Sequence, residues 1–357
     1  MKKLTLIITA ILIFCGVLFG INHELNATTS ADGQKVLNLY NWGDYIDPAL
    51  IKKFEHQTGY HVVYETFDSN EAMLTKIKQG GTSYDLAVPS DYTVQRMRKA
   101  HLLVKLDKRR LPLLKNIDQR FMNLTFDPGN DYSVPYFWGT LGIVYNDQMV
   151  KASQVQHWSQ LWNPQFKNQI MLTDSARDML AIALIPLGYS VNTTNKTQLD
   201  QAAKRLDQLA PNTKAVVADE IKMYMEQDEA AVAVTYSGEA AEMMANNTHL
   251  HYVVPSEGSN MWFDNWVIPK TAKHRKAAYA FLNFMLEPQN AAQNAEYIGY
   301  STPNKAAMKD LPVSVRNDAQ FYPSRETVTH LQVYKDLPLK TIGDYNDLFL
   351  EFKMFKK

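Results

Sequence analysis

From residue 36 onward the chain alternates between short apolar runs of strand length and segments whose apolar residues recur every three or four positions. Residues 36–40 (Val-Leu-Asn-Leu-Tyr) predict a strand. Asp47 and Pro48 then suit the N-cap and first position of a helix, with Leu50, Ile51 and Phe54 on its buried face and Gly59 as its stop. Residues 61–67 predict the next strand. A helix opens at Asn70-Glu71, carries Met73, Leu74 and Ile77, and ends at Gly80-Gly81. Residues 84–88 predict a short buried strand closed by Pro89-Ser90, followed by a helix around 94–99.

A second unit of the same kind begins after Tyr145. Trp158 to Trp162 precedes a strand at 170–172, and Thr173-Asp174-Ser175 caps a helix running through 179–187. Helices are expected near 197–209 and 221–226. A strand at 230–235 leads into a loop at 236–238, and strands follow at 251–255 and 265–268. A helix at 277–286 and a mostly helical tail complete the chain. This succession predicts an α/β architecture with mainly parallel pairing, in which loops at the carboxyl ends of strands carry a ligand. Those loops are residues 41–45 and 90–92. No repeat, low-complexity tract or long Gly/Ser linker separates the two units, so strands are expected to cross directly between them.

The N-terminus changes the picture. Lys2 and Lys3 precede an apolar run over residues 4–21, and a polar stretch follows to residue 34. That is the layout of an export signal. The run is long for a cleaved signal and just long enough to span a bilayer. Cleavage after Ala27 or Ala31, retention as an anchor, and lipidation at Cys15 all stay open, although the bulky Phe14 before Cys15 does not suit lipid attachment. Residues 1–32 are therefore read as signal peptide or membrane anchor with a polar spacer, and the rest as extracytoplasmic, periplasmic or at the cell surface. Cys15 is the only cysteine, which excludes disulfides and structural Cys-zinc sites from the folded part.

Lys plus Arg (37) balances Asp plus Glu (37), so net charge offers no argument for nucleic acid. Enzyme signatures are missing: no Gly-rich phosphate loop, no Gly-x-Ser-x-Gly elbow, no His-Glu-x-x-His. His249 and His251, two apart, would share one face of a strand but make a weak metal signal. What the loops offer is aromatics beside carboxylates: Trp42, Asp44 and Tyr45; Ser90, Asp91 and Tyr92; Trp262, Phe263, Asp264 and Trp266; and Tyr300 before Thr302-Pro303. A flexible organic polycation needs this mixture. Burying an ammonium unpaired costs several kcal/mol. An aromatic face returns roughly 0.5–2 kcal/mol by cation–π contact, and each buried methylene about 0.8 kcal/mol. Taken singly, an Asp or Ser after a strand is as often a helix cap as a ligand contact, Asp91 and Asp174 above all.

Taken together, four segments resemble a known family: residues 39–46 (LYNWGDYI), 84–90 (YDLAVPS), 130–140 (NDYSVPYFWGT) and 298–304 (IGYSTPN) are similar to the bacterial spermidine/putrescine-binding proteins of polyamine ABC importers. The similarity runs from about Val36 to the C-terminal region. The resemblance implies a type II periplasmic-binding fold, with residues 33–139 and 263–308 in one lobe, 140–262 and 309–357 in the other, and ligand closing the cleft. It implies ligand contacts at Trp42, Tyr45, Ser90, Tyr92, Trp262, Asp264 and Tyr300, with Asp264 facing an internal amine. Gly43 stands where the family carries a hydroxyl residue. In the second lobe Asp178 matches one of two terminal acids, while Ser175, with Asp174 beside it, occupies the other. Tyr236 replaces a stacking Trp, and Tyr334 falls where a Gln is expected, with Gln332 nearby. The implied function is polyamine capture without catalysis, cofactor or metal. The expected partners are a membrane permease with its ATPase, and the protein is expected to act as a monomer. Rival readings are another organic amine or small solute on the same fold, and, more remotely, an exported hydrolase.

Overall fold

The computed structural model describes residues 35–318, 321–323 and 325–355. The readings of residues 1–34 as signal, anchor or lipidation site lie outside them. Among the described residues no helix is long and apolar enough to cross a membrane.

Nine strands of the described residues build one continuous sheet: β1 (Val36–Trp42), β2 (His61–Phe67), β3 (Leu86–Ala87), β4 (Ser133–Asn146), β5 (Ile170–Thr173), β6 (Thr213–Val217), β7 (Val232–Tyr236), β8 (Leu250–Val253) and β9 (Met261–Val267). Their order is β2-β1-β3-β9-β4-β7-β5-β6, with β8 also paired to β4. Parallel pairing, expected to predominate, is confined to β1 with β2 and β3 and to β5 with β6 and β7. Every pair that includes β4 or β9 is antiparallel.

β4 joins two halves. Its first part, Ser133 to Thr140, pairs with β9, and from Leu141 it pairs with β7. All fourteen of its residues are buried. Burial on both faces removes the period-two alternation that marks a half-exposed strand, which is why Ser-Val-Pro-Tyr-Phe-Trp-Gly did not read as one. The core divides at the same place. One apolar cluster gathers residues from 37 to 138 and from 261 to 311. In the other half the alternation of the strands sorts side chains onto the two faces. Ile143, Ile170, Leu172, Val232 and Val234 pack on one side with the C-terminal helix, while Val144, Met171 and Ala233 pack on the other.

Local signals set the helix ends near the first strands. Asp47 Oδ1 accepts from Ala49 N at 2.8 Å ahead of helix Pro48–Thr58, and Gly59 ends it at φ 69°. Ser69 caps helix Asn70–Gln79 and Gly80 ends it at φ 70°. Elsewhere the structure corrects the reading. The strand expected at 84–88 is reduced to Leu86–Ala87. The loop expected at 236–238 is absent, because β7 ends at Tyr236 and helix Ser237–Asn246 starts at the next residue. Residues 262–266, grouped with the loops above, lie inside β9.

Candidate functional site

Successive side chains on a strand alternate in direction, so β9 presents Trp262 and Asp264 on one face. Asp264 is buried and shares its two oxygens between two hydroxyls. Tyr45 donates to Oδ2 at 2.6 Å and Ser90 to Oδ1 at 2.7 Å. Asn70 holds this corner: its amide nitrogen donates to Ser90 Oγ and Tyr92 OH, both at 3.0 Å, and its oxygen accepts from Ser90 N at 3.0 Å. Burial pushes the Asp264 carboxyl up to about 6, against the lowering pull of the two hydroxyl donors.

From Asp264 a run of rings leads away. Tyr45 meets Tyr300 at a centroid distance of 5.4 Å, Tyr300 meets Trp262 at 5.1 Å and 89°, and Trp262 meets Tyr236 at 6.2 Å and 85°. Edge-to-face geometry of this kind places positive ring edges on negative faces. Two glycines make room for it. A Cβ on Gly139 would stand 2.4 Å from the Trp262 ring, and one on Gly238 would stand 1.8 Å from the Tyr300 ring.

The run ends at a second buried carboxylate. Asp178 sits in the first turn of helix Ala176–Leu184, whose N-cap is Ser175. Its Oδ2 accepts from Tyr236 OH at 2.7 Å and Ser175 Oγ at 2.5 Å. Its Oδ1 accepts from Tyr334 OH at 2.7 Å and, more distantly, from Asn260 Nδ2 at 3.5 Å. Burial and the Asp178 charge push both phenols well above the usual tyrosine range, so they stay protonated donors. The arrangement is two buried carboxylates, each clothed in hydroxyl donors, at opposite ends of an aromatic wall.

Tyr45, Ser90, Asp178, Ser175, Tyr236, Trp262, Asp264, Tyr300 and Tyr334 are thus brought together. Trp42 packs instead against Phe67, ring centroids 4.6 Å apart, and its Nε1 is buried without a partner. Asp91 is fully buried. Its Oδ1 accepts from Tyr92 N at 2.6 Å and its Oδ2 has no partner. Burial above all, then the Asp264 charge, holds its carboxyl well above the usual range. Tyr92 faces Arg177, whose guanidinium lies 5.9 Å from its ring and 4.2 Å from that of Tyr334. Three expected residues join none of these contacts. Asp44 is exposed in a turn at φ 45°. Asp174 pairs with Lys353 at 2.8 Å. Gln332 spends its side-chain oxygen on Ser190 Oγ and Val191 N. Asn70, Arg177 and Asn260 were not foreseen, because no local motif marks a residue whose partners lie far off in the chain.

The other chemistry weighed above sits elsewhere. His249 and His251 both turn to Asp147, at 3.2 and 2.9 Å. A Ser–His contact joins Ser256 to His157 Nδ1 at 2.9 Å, but Glu257 approaches the same nitrogen, so no relay through the ring is built.

With this geometry in view, the comparisons are specific. The bacterial extracellular solute-binding protein family matches residues 49–323. The spermidine/putrescine-binding periplasmic protein of Salmonella typhimurium is 39% identical over 324 residues, 90% of this chain and 91% of that protein. Its Escherichia coli counterpart is 40% identical, over 86% of this chain and 88% of that one. Among solved structures, a spermidine/putrescine ABC transporter substrate-binding protein from Streptococcus pneumoniae is 55% identical with a TM-score of 0.83, covering 91% of this chain and all of that one. A putative spermidine/putrescine ABC transporter from Listeria monocytogenes is 54% identical with a TM-score of 0.86, covering 90% of this chain and all of that one.

Proposed function

The chain belongs to the bacterial extracellular solute-binding protein family, and on that premise we propose that it captures polyamines, spermidine or putrescine, outside the cytoplasm and delivers them to an ABC importer. The observation that carries this reading is the run of four rings between Asp264 and Asp178. Ammonium groups take the carboxylate ends, and methylenes lie on the flat faces of Trp262 and Tyr300, each buried CH₂ contributing about 0.8 kcal/mol. Trp42, Tyr45 and Tyr236 complete the walls.

The fold is of the two-lobed type II periplasmic-binding kind. We take residues 33–139 with 263–308 as one lobe and 140–262 with 309–357 as the other, hinged where β4 and the start of β9 pass between them. Ligand closes the lobes and the closed monomer docks on a permease driven by an ATPase; the protein binds without catalysing. It acts in the periplasm or at the cell surface, tethered through its N-terminal segment where that is retained.

Titration calorimetry with putrescine and spermidine tests the reading, beside a thermal-shift panel of amines, amino acids and sugars. A ligand at a hundred times its Kd stabilises the fold by about 2.7 kcal/mol. A melting temperature that moves with another solute and with no amine would overturn the ligand class while leaving the fold intact.

A further inference from the structure

We propose that Asn260 is a ligand-binding residue, its Oδ1 receiving a hydrogen of the ammonium group at the Asp178 end of the cleft. The proposal rests on the polyamine reading above and adds the acceptor that reading lacks. Asp178 is already surrounded: Tyr236, Ser175 and Tyr334 all donate to it at 2.5–2.7 Å. A carboxylate has about four lone-pair sites, and the Asn260 amide nitrogen at 3.5 Å takes the remaining direction. An arriving ammonium brings three donors and finds charge there, but little open acceptor capacity.

Asn260 supplies it. The residue is fully buried, and its Oδ1 has no hydrogen-bond partner. The sense of the amide is fixed chemically, since the reversed orientation would set Oδ1 against the Asp178 carboxylate, acceptor to acceptor. The backbone is fixed too. Asn260 O accepts from Leu141 N at 3.1 Å, Met261 N donates to Gln332 O at 2.9 Å, and Gln332 N donates to Ser259 O at 2.8 Å. In this arrangement no solvent touches the side chain. Asn260 immediately precedes β9, in a bridge to Gln332, and continuing the alternation of the strand by one residue sets it on the face of Trp262 and Asp264. Four residues of strand span roughly 13–14 Å, too far for one ammonium with hydrogen bonds of about 3 Å to serve both ends. The row Asn260–Trp262–Asp264 thus reads as acceptor, apolar wall, acceptor, complementary to two cationic centres joined by a methylene chain.

Two substitutions separate this role from a merely structural one. Asn260→Leu keeps the bulk and removes the acceptor. Asn260→Asp keeps an acceptor oxygen, removes the donor to Asp178 and adds a second negative charge beside it. Calorimetry with putrescine and spermidine should show Asn260→Leu binding about tenfold or more weakly, with Asn260→Asp as tight as wild type or tighter. Asn260→Ser, too short to reach the ligand, should match Asn260→Leu and serves if the leucine variant does not fold. Unchanged affinity in Asn260→Leu, or equal losses in the leucine and aspartate variants, would overturn the inference. A wild type that binds no amine would instead overturn the polyamine reading beneath it.

Discussion

Tyr45 and Asp264 lie 219 residues apart in the chain, and the Tyr45 hydroxyl donates to the Asp264 carboxylate at 2.6 Å. With Ser90 on the other oxygen, two hydroxyls from the carboxyl ends of neighbouring strands orient one buried charge. Each oxygen keeps acceptor capacity for an incoming cation. Asp264→Asn preserves the shape and removes the charge. Binding of spermidine or putrescine should weaken by about 2–5 kcal/mol, the usual cost of truncating one member of a buried charge pair. Calorimetry on the folded variant is the measurement, and an unchanged affinity would place the site elsewhere.

The same carboxyl sets a pH dependence. Burial raises it from 3.8 to about 6, so its ionisation costs folding stability. That penalty is absent below its ordinary value, grows as pH rises toward 6, and is complete above it. A cationic ligand needs the ionised form. Affinity should therefore be level above about pH 7 and fall toward tenfold per pH unit well below 6. Glu239, pushed up to about 7 by burial, titrates in the same range, so the diagnostic quantity is the difference between wild type and Asp264→Asn. The variant should lack this part of the slope, and parallel pH profiles for the two would remove Asp264 from the explanation.

Gly238 offers a test of the aromatic wall that runs against local propensity. It lies in the first turn of helix Ser237–Asn246, where alanine would ordinarily be favoured by up to about 1 kcal/mol. Its Cβ, however, would meet the Tyr300 ring at 1.8 Å. Gly238→Ala should accordingly lose about 1–3 kcal/mol of stability by overpacking and bind polyamine more weakly, because Tyr300 has to shift. Urea denaturation and calorimetry read the two effects. A variant more stable than wild type with unaltered affinity would show that Tyr300 is not held as described.

The tests divide along the line between what local pattern reveals and what it hides. Asp47-Pro48 with Gly59, and Gly80 after helix Asn70–Gln79, are caps whose partners lie within four residues, so the chain announces them. β9 is announced only from residue 265, since burial on both of its faces erases alternation and leaves Trp-Phe-Asp at 262–264 looking like an aromatic loop. Aromatics beside acids suggested a cation, but only resemblance to a family put Tyr45, Ser90 and Asp264 on one ligand. Tyr334 stood where a glutamine was expected, and its hydroxyl on Asp178 became visible only in three dimensions. Asn260 and Arg177 were invisible for the same reason: Asn260 meets Asp178 across 82 residues, and Arg177 lies over Tyr334, far downstream. Neither separation leaves a periodic trace.

A longer separation than that of Tyr45 and Asp264 lies outside the aromatic wall. Asp336, two residues beyond Tyr334, takes Arg96 Nε on Oδ1 at 2.9 Å and Lys99 Nζ on Oδ2 at 3.0 Å, and its backbone N–H donates to Gln95 Oε1 at 2.9 Å. Arg96 and Lys99 belong to helix Asp91–Lys99, which begins immediately after Ser90, at the Asp264 end of the aromatic run. One short segment therefore touches the Asp178 end through Tyr334 and the opposite half through Asp336. The side chains of Arg96 and Asp336 are only 15% and 13% exposed, so their pairing is screened less than a surface bridge, whereas Lys99 at 56% adds little. Removing the carboxylate leaves a largely buried guanidinium without its counter-charge and, on the hinged reading proposed above, favours the open arrangement. Asp336→Ala should then weaken polyamine affinity by about 1–2 kcal/mol, through the population of closed protein rather than through any ligand contact. Arg96→Ala should do the same, and the double variant should lose less than the sum of the two. Distance measurements between labels on the two halves should show the ligand-free variant more open and the saturated variant as closed as wild type. Full additivity of the two losses, or an unaltered distance distribution, would reduce the cluster to surface decoration.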